Sequence, residues 1–290
     1  MKKSNLNNLI FINKYPKNFL IFLPMIFSYN INYLNTITCL AGFIIFSLIV
    51  NICYLTNNFV DHEIDKYNKL KSNCIILKKN TIIFLNSFLF FFILVLFFTD
   101  YFSFYLYLYL ALFYIYTFYL KKVFLIDIII LSFFYIIRIY YGSDIIDEKI
   151  SVGFIIFFLL LFLILAIYKR ITQININKLK NNNKVVAYSV KSLKFLKYTS
   201  DCLIIFSIIF LANFLLLNNS FFENLFKFNF SGSLLQGFFI LILYILNFLR
   251  IRKLVFFNKV KKDIVDFILF DPYSLLSSIA LVIVLGSLYL

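Results

Sequence analysis

Three oxygen-bearing residues, Asn57, Asp61 and Asp65, recur at intervals of four in the stretch NNFVDHEIDKYNKLK. On a helix this spacing puts them on one face within two turns, with neighbours about 6 Å apart along the axis. An apolar run leads into them, so they fall at a helix C-terminus. There the macrodipole is negative, and each carboxylate is disfavoured by a few tenths to about 1 kcal/mol. A cation reverses that penalty. Magnesium suits these donors, since it is usually held by one or two carboxylates together with substrate phosphates. Lys66, Lys69 and Lys71 follow at once and are placed to take phosphate oxygens that a metal leaves free. The same spacing also suits a solvated helix end of mixed charge.

Other chemistry is sparse. His62 is the only histidine, and Cys39, Cys53, Cys74 and Cys202 show no CxxC spacing, which argues against a disulfide framework or a zinc site. Asp127 and Arg138 lie within one apolar run, eleven residues or three turns apart, and so face the same way. Ionisable residues inside a span usually line a cavity. Asp127 lies about one turn inside the basic boundary at Lys121 and Lys122, which favours a role in a site. Arg138 lies about 24 Å along the helix from Lys122. A site role and snorkelling toward the opposite interface both remain open for it. Tyr116 is suited either to hydrogen-bond a phosphate or to an aromatic belt.

The elements that must position these residues are apolar. Of 290 residues, 63% are hydrophobic and 14% charged, which excludes an ordinary soluble domain, disorder, and a soluble enzyme on a single anchor. Runs of membrane length occur at about 19–35, 37–56, 81–99, 101–119, 123–142, 152–168, 201–218, 234–249 and 272–290. The expected fold is therefore an all-α polytopic membrane protein of about nine transmembrane helices, one domain over 1–290. The net charge of +15 would suggest nucleic acid in a soluble chain, but here the basic residues sort by loop. Twenty-five of the 28 lie before the first run or after the second, fourth, sixth and eighth, all on one face. That asymmetry predicts a cytoplasmic N-terminus and an outside C-terminus, with no nucleic-acid partner. Lys191, Lys194 and Lys197, with apolar residues between, suggest a helix lying on the membrane surface, or else a solvated basic linker.

The segment Asn57-Asn-Phe-Val-Asp61-His-Glu-Ile-Asp65 resembles the N-D-x-x-D-x-x-x-D motif of the UbiA superfamily of intramembrane prenyltransferases. Those enzymes have nine transmembrane helices and bind a magnesium–diphosphate group at this motif. Asn58 departs from it, which leaves the face at intervals of four intact. Tyr116-Thr-Phe-Tyr-Leu-Lys121-Lys122 resembles the superfamily's Y-x-x-x-L-K-R element, and Asp127 follows at the expected distance.

Members that prenylate aromatic acceptors carry a second aspartate-rich motif after the sixth span. This chain has no Asp or Glu between Glu148 and Asp201. Lys169-Arg170-Ile-Thr-Gln173 resembles instead the K-R-x-x-E element of the decaprenyl-phosphate phosphoribosyltransferase branch. Lys14-Tyr-Pro16-Lys17-Asn18 with Pro24 is similar to that branch's opening segment. Lys71 matches the Lys of its H-P-x-K-x-x-R-P, although Cys74 and Ile75 replace Arg and Pro. Phe134-Tyr-Ile-Ile-Arg138-Ile-Tyr-Tyr-Gly142 resembles its G-F-x-x-R-x-x-A-G, and Tyr188 and Asp271 fall where the pattern would place them.

The resemblance implies a UbiA-like bundle in a bacterial inner membrane, with its active site facing the cytoplasm. The implied reaction moves phosphoribosyl from phosphoribosyl pyrophosphate to a polyprenyl phosphate with Mg2+, releasing pyrophosphate. Asn57, Asp61 and Asp65 would hold the metal. Asp61, Asp65, Lys121 and Asp127 would be catalytic, and Lys17, Lys71, Tyr116, Arg138, Lys169, Arg170 and Tyr188 would bind substrate. Prenyl transfer from a diphosphate to a small acceptor is the nearest alternative, and small-molecule transport is the alternative from another class. Membrane lipids are expected partners in every case.

Overall fold

The computed structural model describes residues 12–28, 30–62, 77–99, 101, 103–178, 188, 192–216 and 234–257, and scattered positions between 260 and 277. The elements among them are all helical. The chain forms two compact units, residues 1–150 and 151–290.

The first unit opens with a 3-10 helix, Ile12–Phe22, and a single turn, α1 (Leu23–Phe27). Four longer helices follow: α2 (Tyr33–Val60), α3 (Lys79–Leu96), α4 (Phe104–Phe118) and α5 (Ile126–Ile145). The run predicted over 19–35 is not one helix. Pro24, without an N–H, starts a new turn that closes at Ser28, whose N–H bonds to the Pro24 carbonyl at 2.9 Å. Asn32 then caps α2 by accepting the Asn35 N–H at 2.7 Å, so the second predicted run begins earlier, at Tyr33. Ser103 caps α4, accepting the Tyr105 N–H at 3.2 Å.

Phe46, Ile49, Leu106, Tyr109, Phe134 and Tyr141 pack at the centre of this unit. Outward faces are as apolar as the core: on α3, Phe84, Phe88, Phe90 and Phe91 are all more than half exposed. A surface of this kind is stable against lipid rather than water. Gly142 of α5 lets the 3-10 helix come close, for a Cβ there would lie 2.1 Å from the Ile21 carbonyl oxygen.

The second unit contains α6 (Val152–Lys178), α7 (Ser192–Leu216) and α8 (Leu234–Phe256), each packed on the other two. Lys194 and Lys197 do not lie on a separate surface helix. The chain from Ser192 to Leu216 contains neither Pro nor Gly, and one helix runs through it unbroken. Among the described residues five helices are long and apolar enough to cross a membrane: α2, α3, α5, the Val152–Ile176 part of α6 and the Ser192–Asn213 part of α7. The apolar α4 is shorter. The protein is thus an α-helical membrane protein whose apolar helices suit contact with lipid.

Candidate functional site

Asp61 ends α2. Its backbone N–H bonds to the Asn57 carbonyl at 2.9 Å, and its side chain is nearly buried. The partner comes from far along the chain. After α4 a short 3-10 turn, Leu120–Lys122, carries Lys121 into the interior, where its ammonium donates to Asp61 Oδ1. The side chains of Lys121 and Asp61 are 9% and 12% exposed, so the pair is largely withdrawn from water.

The turn that follows is unusual. Leu125 adopts φ 64°, in the left-handed region that a leucine rarely occupies. Immediately after it, α5 begins with Asp127 in its first turn, fully buried, where the positive end of the helix dipole favours a carboxylate. The Tyr116 hydroxyl donates to Asp127 Oδ1 at 2.8 Å across that turn. Lys121, Tyr116 and Asp127 are therefore set by one reversal of the chain between α4 and α5.

Two further buried polar groups border these residues in sequence. Asn58 Nδ2, three residues before Asp61, has no hydrogen-bond partner among the described residues. The same holds for Thr117 Oγ1, next to Tyr116. Neither was singled out as a site residue from the sequence, although Asn58 marked itself as a departure from the motif. A neighbouring network was also missed. Tyr114 donates to Asn86 Oδ1 at 2.6 Å, and Asn86 Nδ2 reaches Thr56 Oγ1 at 3.1 Å, which ties α2, α3 and α4 together one residue before Asn57. An Asn inside an apolar run, as at 86, was the available signal.

Arg138 is deeply buried, and its guanidinium is fully engaged. Nε donates to Asn18 Oδ1 at 2.9 Å, Nη1 to the Phe134 carbonyl, and Nη2 to the Tyr109 hydroxyl at 3.2 Å. Phe46, Tyr109 and Tyr135 surround it at 5.1–5.6 Å from their centroids. Asn18 in turn donates to Ser47 Oγ at 2.9 Å. The arginine thus fastens the N-terminal 3-10 helix, which also carries the buried Lys17, to α2, α4 and α5. It does not snorkel.

In the second unit Arg170 reaches Gln173 Oε1 at 2.5 Å on the same face of α6, and its guanidinium lies 5.6 Å from the ring centroid of Tyr188. The extension of α6 beyond its apolar run puts Lys169, Arg170 and Gln173 on helix rather than loop. Asp271 accepts both terminal nitrogens of Arg250, at 2.5 and 2.9 Å, and two bonds from Ser274. The Arg250 guanidinium, with help from Ser274, holds the Asp271 carboxyl well below the usual carboxylate range. Asp65 and Lys71 lie outside the described residues.

The end of α2 carries the oxygen donor types a hard cation takes, the Asp61 carboxylate and, one turn earlier in sequence, the Asn57 amide, with Asp61 Oδ1 accepting from the Lys121 ammonium. Among the described residues no three or more His, Cys, Asp or Glu side chains cluster as a metal cage. Any magnesium held here needs oxygens from its substrate as well as those of the protein. No protein-family model matches this chain, and no curated protein matches it significantly.

Proposed function

We propose that the protein is a nine-span, UbiA-like transferase of a bacterial inner membrane, N-terminus cytoplasmic and C-terminus outside. It moves phosphoribosyl from phosphoribosyl pyrophosphate to a polyprenyl phosphate and releases pyrophosphate. The observation that carries this reading is the meeting of Asp61 with Lys121, which joins the two stretches that resemble the superfamily's diphosphate-binding elements. A carboxylate and an ammonium withdrawn together from water suit a ligand that brings both a cation and phosphate charge.

Asn57 and Asp61, with Asp65, would hold Mg2+ on the pyrophosphate. Bound there, the ion supplies Lewis-acid stabilisation of the leaving group. Lys121 and Lys71 neutralise charge that builds on the pyrophosphate as the ribose C1–O bond breaks. Asp127, oriented by Tyr116, faces the donor, and Lys17 adds positive charge from the N-terminal segment. The resemblance assigns Lys169 and Arg170, with Tyr188 against the guanidinium, to the acceptor phosphate. That acceptor is already ionised at neutral pH, so the reaction needs no strong general base.

Pyrophosphate release from purified protein tests the assignment. Release that requires Mg2+, phosphoribosyl pyrophosphate and polyprenyl phosphate together is expected. Release only with a prenyl diphosphate and an aromatic acid would replace this reading with prenyl transfer. No release with either pair, but flux across vesicles, would replace it with transport.

A further inference from the structure

At the end of the second unit where α7 begins and α8 finishes, one aromatic ring gathers three polar side chains. The Lys197 ammonium lies 4.7 Å from the Phe256 ring centroid and the Arg252 guanidinium 4.6 Å. Tyr168 of α6 meets the same ring edge-on, with centroids 6.3 Å apart. Arg252 donates through Nε and Nη2 to the two oxygens of Asp201, at 2.6 and 2.7 Å. That bidentate grip fixes the guanidinium plane and leaves Nη1 on the edge turned away from the carboxylate. Lys197 forms no ion pair with a described residue.

Two observations point to a ligand here. First, Lys197 and Arg252 both lie against the Phe256 ring while one carboxylate, Asp201, pairs with Arg252, so among the described residues the cluster carries a net positive charge. Second, the Tyr168 hydroxyl is wholly buried and has no hydrogen-bond partner among the described residues, although Asp201 and Arg252 lie within electrostatic reach. Buried polar groups are normally satisfied, and an anionic oxygen would satisfy this one. The surroundings favour lipid over a free ion. Phe195, Tyr198 and Ile205 on the same helix as Lys197 are all exposed, as lipid-facing side chains are. Basic pockets between membrane helices close to a polar boundary take anionic head groups.

We propose that Lys197, Arg252 and Tyr168 bind the phosphate of an anionic membrane lipid. Lys197 and Arg252 Nη1 donate to the phosphate oxygens, the Tyr168 hydroxyl adds a third donor, Asp201 orients Arg252, and Phe256 closes the apolar side. Tyr168 directly precedes Lys169 and Arg170 on α6, but its ring packs on Phe256 of α8, whereas Arg170 is engaged with Gln173 and Tyr188.

The full chain in phosphatidylcholine nanodiscs, titrated with dioctanoyl phosphatidic acid and read by native mass spectrometry, tests the proposal. Lys197→Ala is expected to weaken binding about fivefold, and Lys197→Arg to restore it. Tyr168→Phe, which removes one oxygen and keeps the ring, is expected to weaken binding as well. Lys253→Ala, an exposed charge at the same end of α8, is expected to leave it unchanged. Inorganic phosphate at equal concentration is expected not to compete. Equal weakening by Lys253→Ala and Lys197→Ala would reveal diffuse surface charge and overturn the site. Unchanged binding in both Lys197→Ala and Tyr168→Phe would also overturn it, as would effective competition by inorganic phosphate.

Discussion

Lys121 and Asp61, 60 residues apart in the chain, form a buried ion pair that holds the end of α2 against the turn between α4 and α5. Removing one partner of such a pair strands the other charge, which costs about 3–5 kcal/mol. Lys121→Met and Asp61→Asn should therefore each lower the unfolding midpoint strongly in detergent. The double variant should lose less than the two single losses combined, since no charge is then left unpaired. Additive losses would show that the two residues are not coupled.

Much of the helical order is legible in the sequence, because long runs of apolar residues mark helices. The exact ends are not. Pro24 with Asn30 and Asn32 split the first run, and α6 and α7 extend past their apolar stretches because Lys, Arg, Gln and Thr are all compatible with helix. In the site, Asp61, Lys121, Tyr116 and Asp127 stood out by type and spacing, but their pairing did not. It depends on a chain reversal at Leu125 that local preference disfavours. The partners of Arg138 were equally hidden, since Asn18 and Ser47 read as ordinary polar residues until the 3-10 helix is docked.

That reversal carries strain. A leucine in the left-handed region costs about 1–3 kcal/mol, and glycine adopts the same backbone without it. Leu125→Gly should raise stability by about 1 kcal/mol, and Leu125→Val should lower it. Thermal unfolding of the three proteins side by side checks the order.

The contact of Gly142 with Ile21 leaves no space for a methyl group. Gly142→Ala should push the 3-10 helix from α5 and cost about 1–3 kcal/mol, as overpacking does. Arg138→Gln should loosen the same junction by losing its bonds to Asn18 and Tyr109. In both variants limited proteolysis should cut within residues 12–22 faster than in the parent. Unchanged cleavage would mean that this junction does not hold the segment.

Asp271 gives a dependence on pH with a definite sign. Its folded pKa lies below the unfolded value of about 3.9. Its contribution to stability is therefore complete above that value and fades as pH falls through the folded pKa. Asp271→Asn should lower stability by about 1 kcal/mol near pH 7, a modest figure because Arg250 is partly solvated. The gap between variant and parent should hold steady down to about pH 5 and narrow below about pH 4. Unfolding midpoints across that range provide the check.

The central claim is that Asp61 and Lys121 serve phosphoribosyl transfer to a lipid. Its most direct test follows label from ribose-labelled phosphoribosyl pyrophosphate into the butanol-extractable fraction, with polyprenyl phosphate and Mg2+ present. The parent protein should move label into lipid only when metal and both substrates are supplied. Asp61→Asn should reduce that rate by about 100-fold or more. An absence of labelled lipid with the parent protein, or near-normal magnesium-dependent labelling with Asp61→Asn, would contradict the account.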